Sequence, residues 1–198
     1  MKVKFVLLAI LTLFFFIACG DKKDDPQDQP DPNNPRPNIE QTDKGNENEF
    51  VAKDGGFAVE FPSEPERMTQ SVPTEVGDIQ MTIYQAMSSD GNVVYFVSYN
   101  DYPAELVEQG DPESMLEEGM NGALGTYSSQ LISSKKIKYG DHPGIEFFAG
   151  GESQGYAINV KARMYLVENR LYQALVLGLE GSIDEDEMDE FLETFRLL

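Results

Sequence analysis

Residues 156–179 read YAINVKARMYLVENRLYQALVLGL. Tyr156, Ile158, Val160, Ala162, Met164 and Leu166 alternate with other side chains, the period of a strand with one buried face. Glu168-Asn169-Arg170 supplies turn residues. Beyond it, Leu171, Gln173, Leu175, Leu177 and Leu179 point one way, and Tyr172, Ala174 and Val176 the other. Apolar side chains on both sides fit a strand covered on both faces, so 171–179 is expected at the middle of a sheet.

Further strands are read outward from this pair. Phe57, Val59 and Phe61 alternate after Gly55-Gly56 and before Pro62. Ile79, Met81 and Ile83 alternate, and Asp90-Gly91 is a hairpin signal ahead of the β-branched and aromatic run Val93–Val97. Leu131–Tyr139 runs into the turn Gly140–Gly144, after which Ile145 and Phe147 resume the alternation. Two segments carry the helical period. Leu116, Met120, Ala123, Leu124 and Tyr127 share a face, with Asp111 as N-cap and Pro112 at the first helical position. Ser182 is expected to cap the last helix in a capping box with Glu185; Met188, Phe191, Leu192 and Phe195 form its buried stripe, and Arg196 sits in its last turn. The fold class is α+β: an antiparallel β-sheet of about six to eight strands flanked by helices, in one domain over 48–198.

Several stretches resemble the PsbP-like superfamily. They are Gly56–Pro65 at its opening strand and proline turn, His142–Phe147 at its mid-domain turn and strand, Arg163–Gln173 at its late hairpin, and Phe191–Leu197 at its closing helix. The resemblance implies an antiparallel sheet between helices, an α/β/α sandwich. It also implies action by binding protein partners rather than by turnover, as in the family's extrinsic photosystem II subunit and its small-GTPase-binding member. No functional residue of the family carries over to this chain.

Residues 1–18 have the plan of a lipoprotein signal peptide. Lys2 and Lys4 precede the apolar run Phe5–Ile17, which is too short for a membrane span of about 20 residues. Phe16-Ile17-Ala18-Cys19 resembles the lipobox of bacterial lipoproteins, with Phe16 where Leu is usual. Cys19, the only cysteine, is therefore the expected lipidation site and membrane anchor; two or three acyl chains hold stably where one is marginal. Residues 19–47 carry Pro26, Pro30, Pro32, Pro35 and Pro37, with Ile39 as the single large apolar residue, and are expected to be a disordered tether. Asp21-Lys22-Lys23-Asp24-Asp25 resembles the charged signal that exports Bacteroidetes lipoproteins to the outer face of the outer membrane. The expected location is the bacterial cell envelope, at the outer membrane.

The 198 residues hold 15 Lys+Arg against 35 Asp+Glu, a net charge of -20. Residues 48–198 alone hold 9 basic against 27 acidic residues, a net of -18. This excess repels polyphosphate, so no nucleic-acid partner is expected. One Cys and one His exclude CxxC redox sites and multi-His metal centres. His142 has Asp141 beside it in sequence, where it is poorly placed to orient an imidazole, and no G-x-S-x-G elbow is present. The acids at 184–187, 189 and 190 lack the glycine of a calcium loop and read as a solvated helix face. Pairs such as Glu117-Glu118 and Glu64/Glu66 have no fixed separation, and the glycines at 119–125 and 150–151 match no phosphate loop. Tyr84, Tyr95, Phe96, Tyr99 and Tyr102 read as core, with a groove as the lesser possibility. No cofactor or metal site is expected. The function read from this is a non-catalytic binding or accessory domain for a protein partner with a basic patch. The alternative is a small apolar ligand carrier, or an enzyme, with a pocket between sheet and inserted helix near Met115, Met120 and Tyr127.

Overall fold

The computed structural model describes residues 49–74 and 77–198, with Pro73 and Thr74 described by backbone alone. The signal segment 1–18, Cys19 and the linker to 47 lie outside the described residues. In chain order the described elements are β1 (Phe50–Ala52), β2 (Phe57–Val59), β3 (Glu66–Thr74), β4 (Gly77–Met87), β5 (Val93–Asp101), α1 (Ala104–Gln109), α2 (Pro112–Thr126), β6 (Ser129–Tyr139), β7 (His142–Ser153), β8 (Tyr156–Val167), β9 (Arg170–Leu179), α3 (Glu185–Thr194) and β10 (Arg196–Leu197).

Seven strands form one antiparallel sheet in the order β3-β4-β5-β9-β8-β7-β6. β9 is its central strand, as two-sided apolarity requires. Leu175 and Val176 are neighbours in sequence, point to opposite faces and are both fully buried. Ile158 through Leu166 are buried at every second position as the alternation predicts, while Tyr156 is exposed at the strand's start. Val167 pairs with Arg170, and Glu168 turns the corner at φ 53°.

Each face has its own cover. On one, α2 lays Leu116, Met120 and Ala123 over Ile145, Phe147, Val160, Met164 and Leu171. Asp111 caps α2 by accepting from the Ser114 N–H, and Pro112 opens it, both as the sequence indicates. On the other, α3 and a three-stranded sheet, β1-β2-β10, bury Phe57, Val59, Met188, Phe191, Leu192 and Phe195 against Tyr84, Val97, Tyr165, Tyr172 and Val176.

The structure departs from the sequence reading in several elements. The N-cap of α3 is Asp184, not Ser182: Asp184 accepts from the Glu187 N–H and Glu187 accepts from the Asp184 N–H. The register moves by two because Ser182 instead donates to the Leu179 carbonyl and closes the preceding turn. The helix ends at Thr194, so Arg196 lies in β10, pairing with Ala58 of β2, and not in a last helical turn. β3 carries no apolar alternation because it is an edge strand, and Pro73 sits there without cost to an interior ladder. The short helix α1 was not legible, since it buries no residue. In β4, Ile79 is buried but Met81 and Ile83 are half-buried, and Thr82, Tyr84 and Ala86 are the more buried set.

Gly144 in β7 marks a close approach. A Cβ there would stand 2.6 Å from the Met164 carbonyl oxygen and 2.6 Å from the Tyr165 ring. The oxygen belongs to the neighbouring strand and has little room to yield. Gly144→Ala is therefore expected to lower unfolding free energy by about 1–3 kcal/mol, the usual cost of overpacking. Urea denaturation of both proteins measures it.

Candidate functional site

The acidic run of α3 divides by helical period. Glu185, Asp189 and Glu193 recur every four residues and lie on one stripe. Beneath that stripe Lys161 and Arg163 stand on β8 two residues apart, on the face that α3 covers. Lys161 is buried, with Nζ 2.7 Å from Asp189 and 3.4 Å from Glu185. Arg163 donates to Glu146 at 2.7 Å and reaches Asp189 at 3.4 Å and Glu193 at 3.9 Å. Lys135 closes on the other oxygen of Glu146 at 2.8 Å. Burial pulls the Glu146 carboxyl up, but hydrogen bonds from Lys135 and Arg163 outweigh it and hold its pKa low. Burial lowers the Lys161 amine, but Asp189 and Glu185 outweigh that and raise its pKa. Glu185 and Glu193 stay exposed, as the reading of a solvated face expects, while the half-buried Asp189 departs from it and, with Glu185, clamps α3 to the sheet.

On its other side α3 forms the wall of a groove of about 680 Å³. The floor is a chain of aromatic contacts. Tyr95 of β5 lies 5.0 Å from Phe191, Phe191 5.6 Å from Phe61, and Phe61 5.7 Å from Phe50, between ring centroids. Glu49, Glu60, Glu64, Glu187 and Glu190 surround it, and Pro62, Ser63 and Pro65 complete the lining. These carboxylates are not equivalent. Glu49 is held by the Arg196 guanidinium through two hydrogen bonds, 2.6 and 2.8 Å, which lower its pKa. Glu187 serves the helix cap. Glu64 and Glu190 are exposed and have no partner among the described residues. The field shows at Tyr95, whose phenol is pushed up by burial and then by the Glu187 and Asp90 charges. Exposed carboxylates over an aromatic floor suit a cation with some apolar surface.

The rest of the domain sharpens this contrast, because its cations are mostly engaged. Arg67 pairs with Asp54, Lys136 with Glu113, and Arg170 with Asp101, in addition to the pairs at Lys135, Lys161, Arg163 and Arg196. Arg170 also lies 4.7 Å above the Tyr99 ring and donates to the Gly55 carbonyl, tying the two sheets together.

A second, smaller cavity of about 280 Å³ lies between α2 and strands β6 and β7. Leu116, Pro143, Gly144 and Ile145 line it, and the Glu113–Lys136 pair, Glu117 and Lys138 stand around it. Its place agrees with the pocket expected between sheet and inserted helix, but its walls do not. Met120 is packed in the core, and Met115 and Tyr127 pack against that core, so none of the three lines the cavity.

The remaining sequence candidates are dispersed. His142 opens β7 opposite Tyr139, and its side chain makes no hydrogen bond to Asp141 or to any other described residue. Glu64 lines the groove, while Glu66 begins β3; Glu117 borders the cavity, and Glu118 is exposed. Gly150 and Gly151 lie within β7, where a Cβ at Gly151 would come 2.8 Å from the Ser128 carbonyl. Of the five aromatics weighed, Tyr84 and Tyr99 are buried in the core, Phe96 and Tyr102 pack under α2, and Tyr95 lines the groove. Among the described residues no three His, Cys, Asp or Glu side chains gather as a metal-ligand set, and no helix is long and apolar enough to cross a membrane. Sequence reading missed Lys161 and Arg163. Their signal was a pair of cations at strand spacing, matched by acids at 185, 189 and 193 at helix spacing.

No protein-family model matches the chain, and no curated protein matches its sequence. Solved structures do. The solution structure of cyanobacterial PsbP (CyanoP) from Synechocystis sp. PCC 6803 superposes with a TM-score of 0.52 at 10% identity, over 76% of this chain and 91% of that one. LpqN of Mycobacterium tuberculosis, involved in cell envelope biogenesis, matches over 70% of this chain and 76% of its own at 12% identity and a TM-score of 0.38. PA94 of Pseudomonas aeruginosa, a protein of unknown function and putative regulator, matches over 66% and 81% at 8% identity and a TM-score of 0.34. The likeness to CyanoP establishes a PsbP-like fold: an antiparallel sheet covered on both faces, as the sequence resemblance implied.

The clamp beneath α3 has a testable cost. Asp189→Asn leaves the buried Lys161 amine with Glu185 alone, and is expected to destabilise by about 1–3 kcal/mol. The low Glu146 pKa contributes stability in full above the ordinary carboxyl value of about 4.3, and loses it as pH falls through the folded value. The raised Lys161 pKa contributes in full below about 10.4, and loses it as pH rises through the folded value. Thermal unfolding of wild type and Glu146→Gln across pH 2 to 7 is expected to show a stability gap that is widest at neutrality and narrows below about pH 4.

Proposed function

We propose that this chain is a lipid-anchored protein of the bacterial cell envelope, held at the outer membrane through Cys19. Its PsbP-like domain is a non-catalytic module that docks a basic segment of a protein partner. The observation that carries the docking is the groove beside α3, where an aromatic floor is bordered by carboxylates. Glu64 and Glu190 stay free to meet cations, while most of the domain's own cations are engaged in ion pairs. Lysine or arginine side chains place charge on the rim and their methylene stems on the rings. The anchor keeps domain and partner in one membrane plane, which raises their effective concentration. The acidic surface disfavours nucleic acid and anionic headgroups.

A second reading is kept on one observation, the cavity between α2 and the β6–β7 hairpin, where Leu116, Ile137, Pro143 and Ile145 offer apolar surface inside a charged border to a small, partly apolar ligand. Native mass spectrometry of freshly purified protein decides it: a bound small molecule of constant mass supports a carrier, and its absence favours docking alone.

Docking is tested with a short lysine- and proline-containing peptide titrated into the chain spanning 20–198. Binding is expected to weaken about tenfold or more between 50 and 300 mM salt, as screening removes the attraction. Glu64→Gln with Glu190→Gln is expected to weaken low-salt binding by about three- to tenfold. Equal binding at both salts, or by both proteins, contradicts the reading. For the anchor, Cys19→Ser is expected to move the protein from the membrane to the soluble fraction and to remove the mass of the acyl chains.

A further inference from the structure

The chain enters the structure at the lip of the groove. Glu49 and Phe50, the first two described residues, are themselves part of its lining. Whatever precedes Glu49 is therefore delivered to the groove by covalent connection. Residues 20–48 hold eight acidic residues against four basic ones, and the longest acid-free run among them is 32–39. Residues 32–39 read PNNPRPNI: eight residues without an acid, centred on Arg36 and ending at Ile39. Glu40 to Asn48 then join Ile39 to Glu49, nine residues that reach about 30 Å at full extension.

We infer that this Pro32–Ile39 segment is the groove's own resting occupant, so that an external basic partner must displace it. The inference rests on the docking reading above and adds its regulation. The chemistry of segment and groove is complementary at each point. Arg36 brings the cation that Glu64 and Glu190 lack. Ile39 and the flanking prolines bring apolar surface to the floor formed by Phe61, Tyr95 and Phe191. Prolines at 32, 35 and 37 restrict the chain before it binds, which reduces the entropy lost on docking. A joint of nine residues gives an effective concentration on the order of millimolar. An intrinsic dissociation constant of about half that value fills the groove for most of the time and weakens an external peptide about threefold.

The test keeps net charge constant. In the chain spanning 20–198, Arg36→Gln is combined with Gln27→Arg, which moves the cation nine residues upstream without removing it. The external lysine- and proline-containing peptide is expected to bind this variant about threefold more tightly than the unaltered chain. In parallel, Asn38→Cys in the same chain carries a nitroxide, since Cys19, the only native cysteine, is excluded. The label is expected to broaden the amide resonances of Glu64, Tyr95 and Phe191, and to do so much less once the charge is moved. Equal peptide affinity for the two chains, with broadening confined to Glu49 and Phe50, overturns self-occupancy while leaving the groove as a docking site. If the peptide binds neither chain, the groove reading fails and the self-occupancy built on it fails too.

Discussion

Leu175 and Val176 set the constraint from which the rest of this structure follows. They are consecutive residues of the central strand, they point to opposite faces, and neither touches water. A strand of this kind needs a covering layer on each side of its sheet. α2 supplies one with Leu116, Met120 and Ala123. The other requires both ends of the domain at once: β1 and β2 from its start, α3 and β10 from its finish. Phe57 and Phe195 stack 5.8 Å apart where these ends meet. The groove is a consequence of that closure, because it forms where the chain after β2 runs past the first turns of α3.

Electrostatics then decides what each side of α3 does. A domain with three acidic residues for each basic one has few cations to place. Two of them, Lys161 and Arg163, are placed under the helix, where burial makes each ion pair stronger and each unpaired charge more costly. Asp189 and Glu185 are drawn down to meet them. Glu187 and Glu190, a short rotation away on the same helix, remain outward beside Tyr95 and Phe191. One acidic run thus serves two ends, fixing the helix and charging the groove that the helix borders.

The fold was legible wherever burial imposes a period. The alternation from Ile158 to Leu166, the two-sided apolarity of 171–179 and the cap at Asp111 each match the structure. Legibility failed where no period is imposed. β3 lies at an edge and needs no apolar face, and α1 buries nothing. The cap of α3 was misplaced because Ser182 and Asp184 both carry capping side chains, and only the tertiary turn at Leu179 commits the serine elsewhere. The groove was barely legible. Tyr95 was one of five aromatics on a strand reading, while Phe50, Phe61 and Phe191 come from segments far apart in sequence. Their meeting is a property of topology, which local pattern does not contain.

The proposed docking role rests on the acidic, aromatic groove that this PsbP-like domain carries. The most direct measurement is a map of amide chemical shifts as a lysine- and proline-containing peptide is added at low salt. The account predicts shifts concentrated at Phe61, Glu64, Tyr95, Glu190 and Phe191, which fade as salt rises. Shifts scattered over the whole acidic surface, or gathered instead around Leu116 and Ile145, would contradict it.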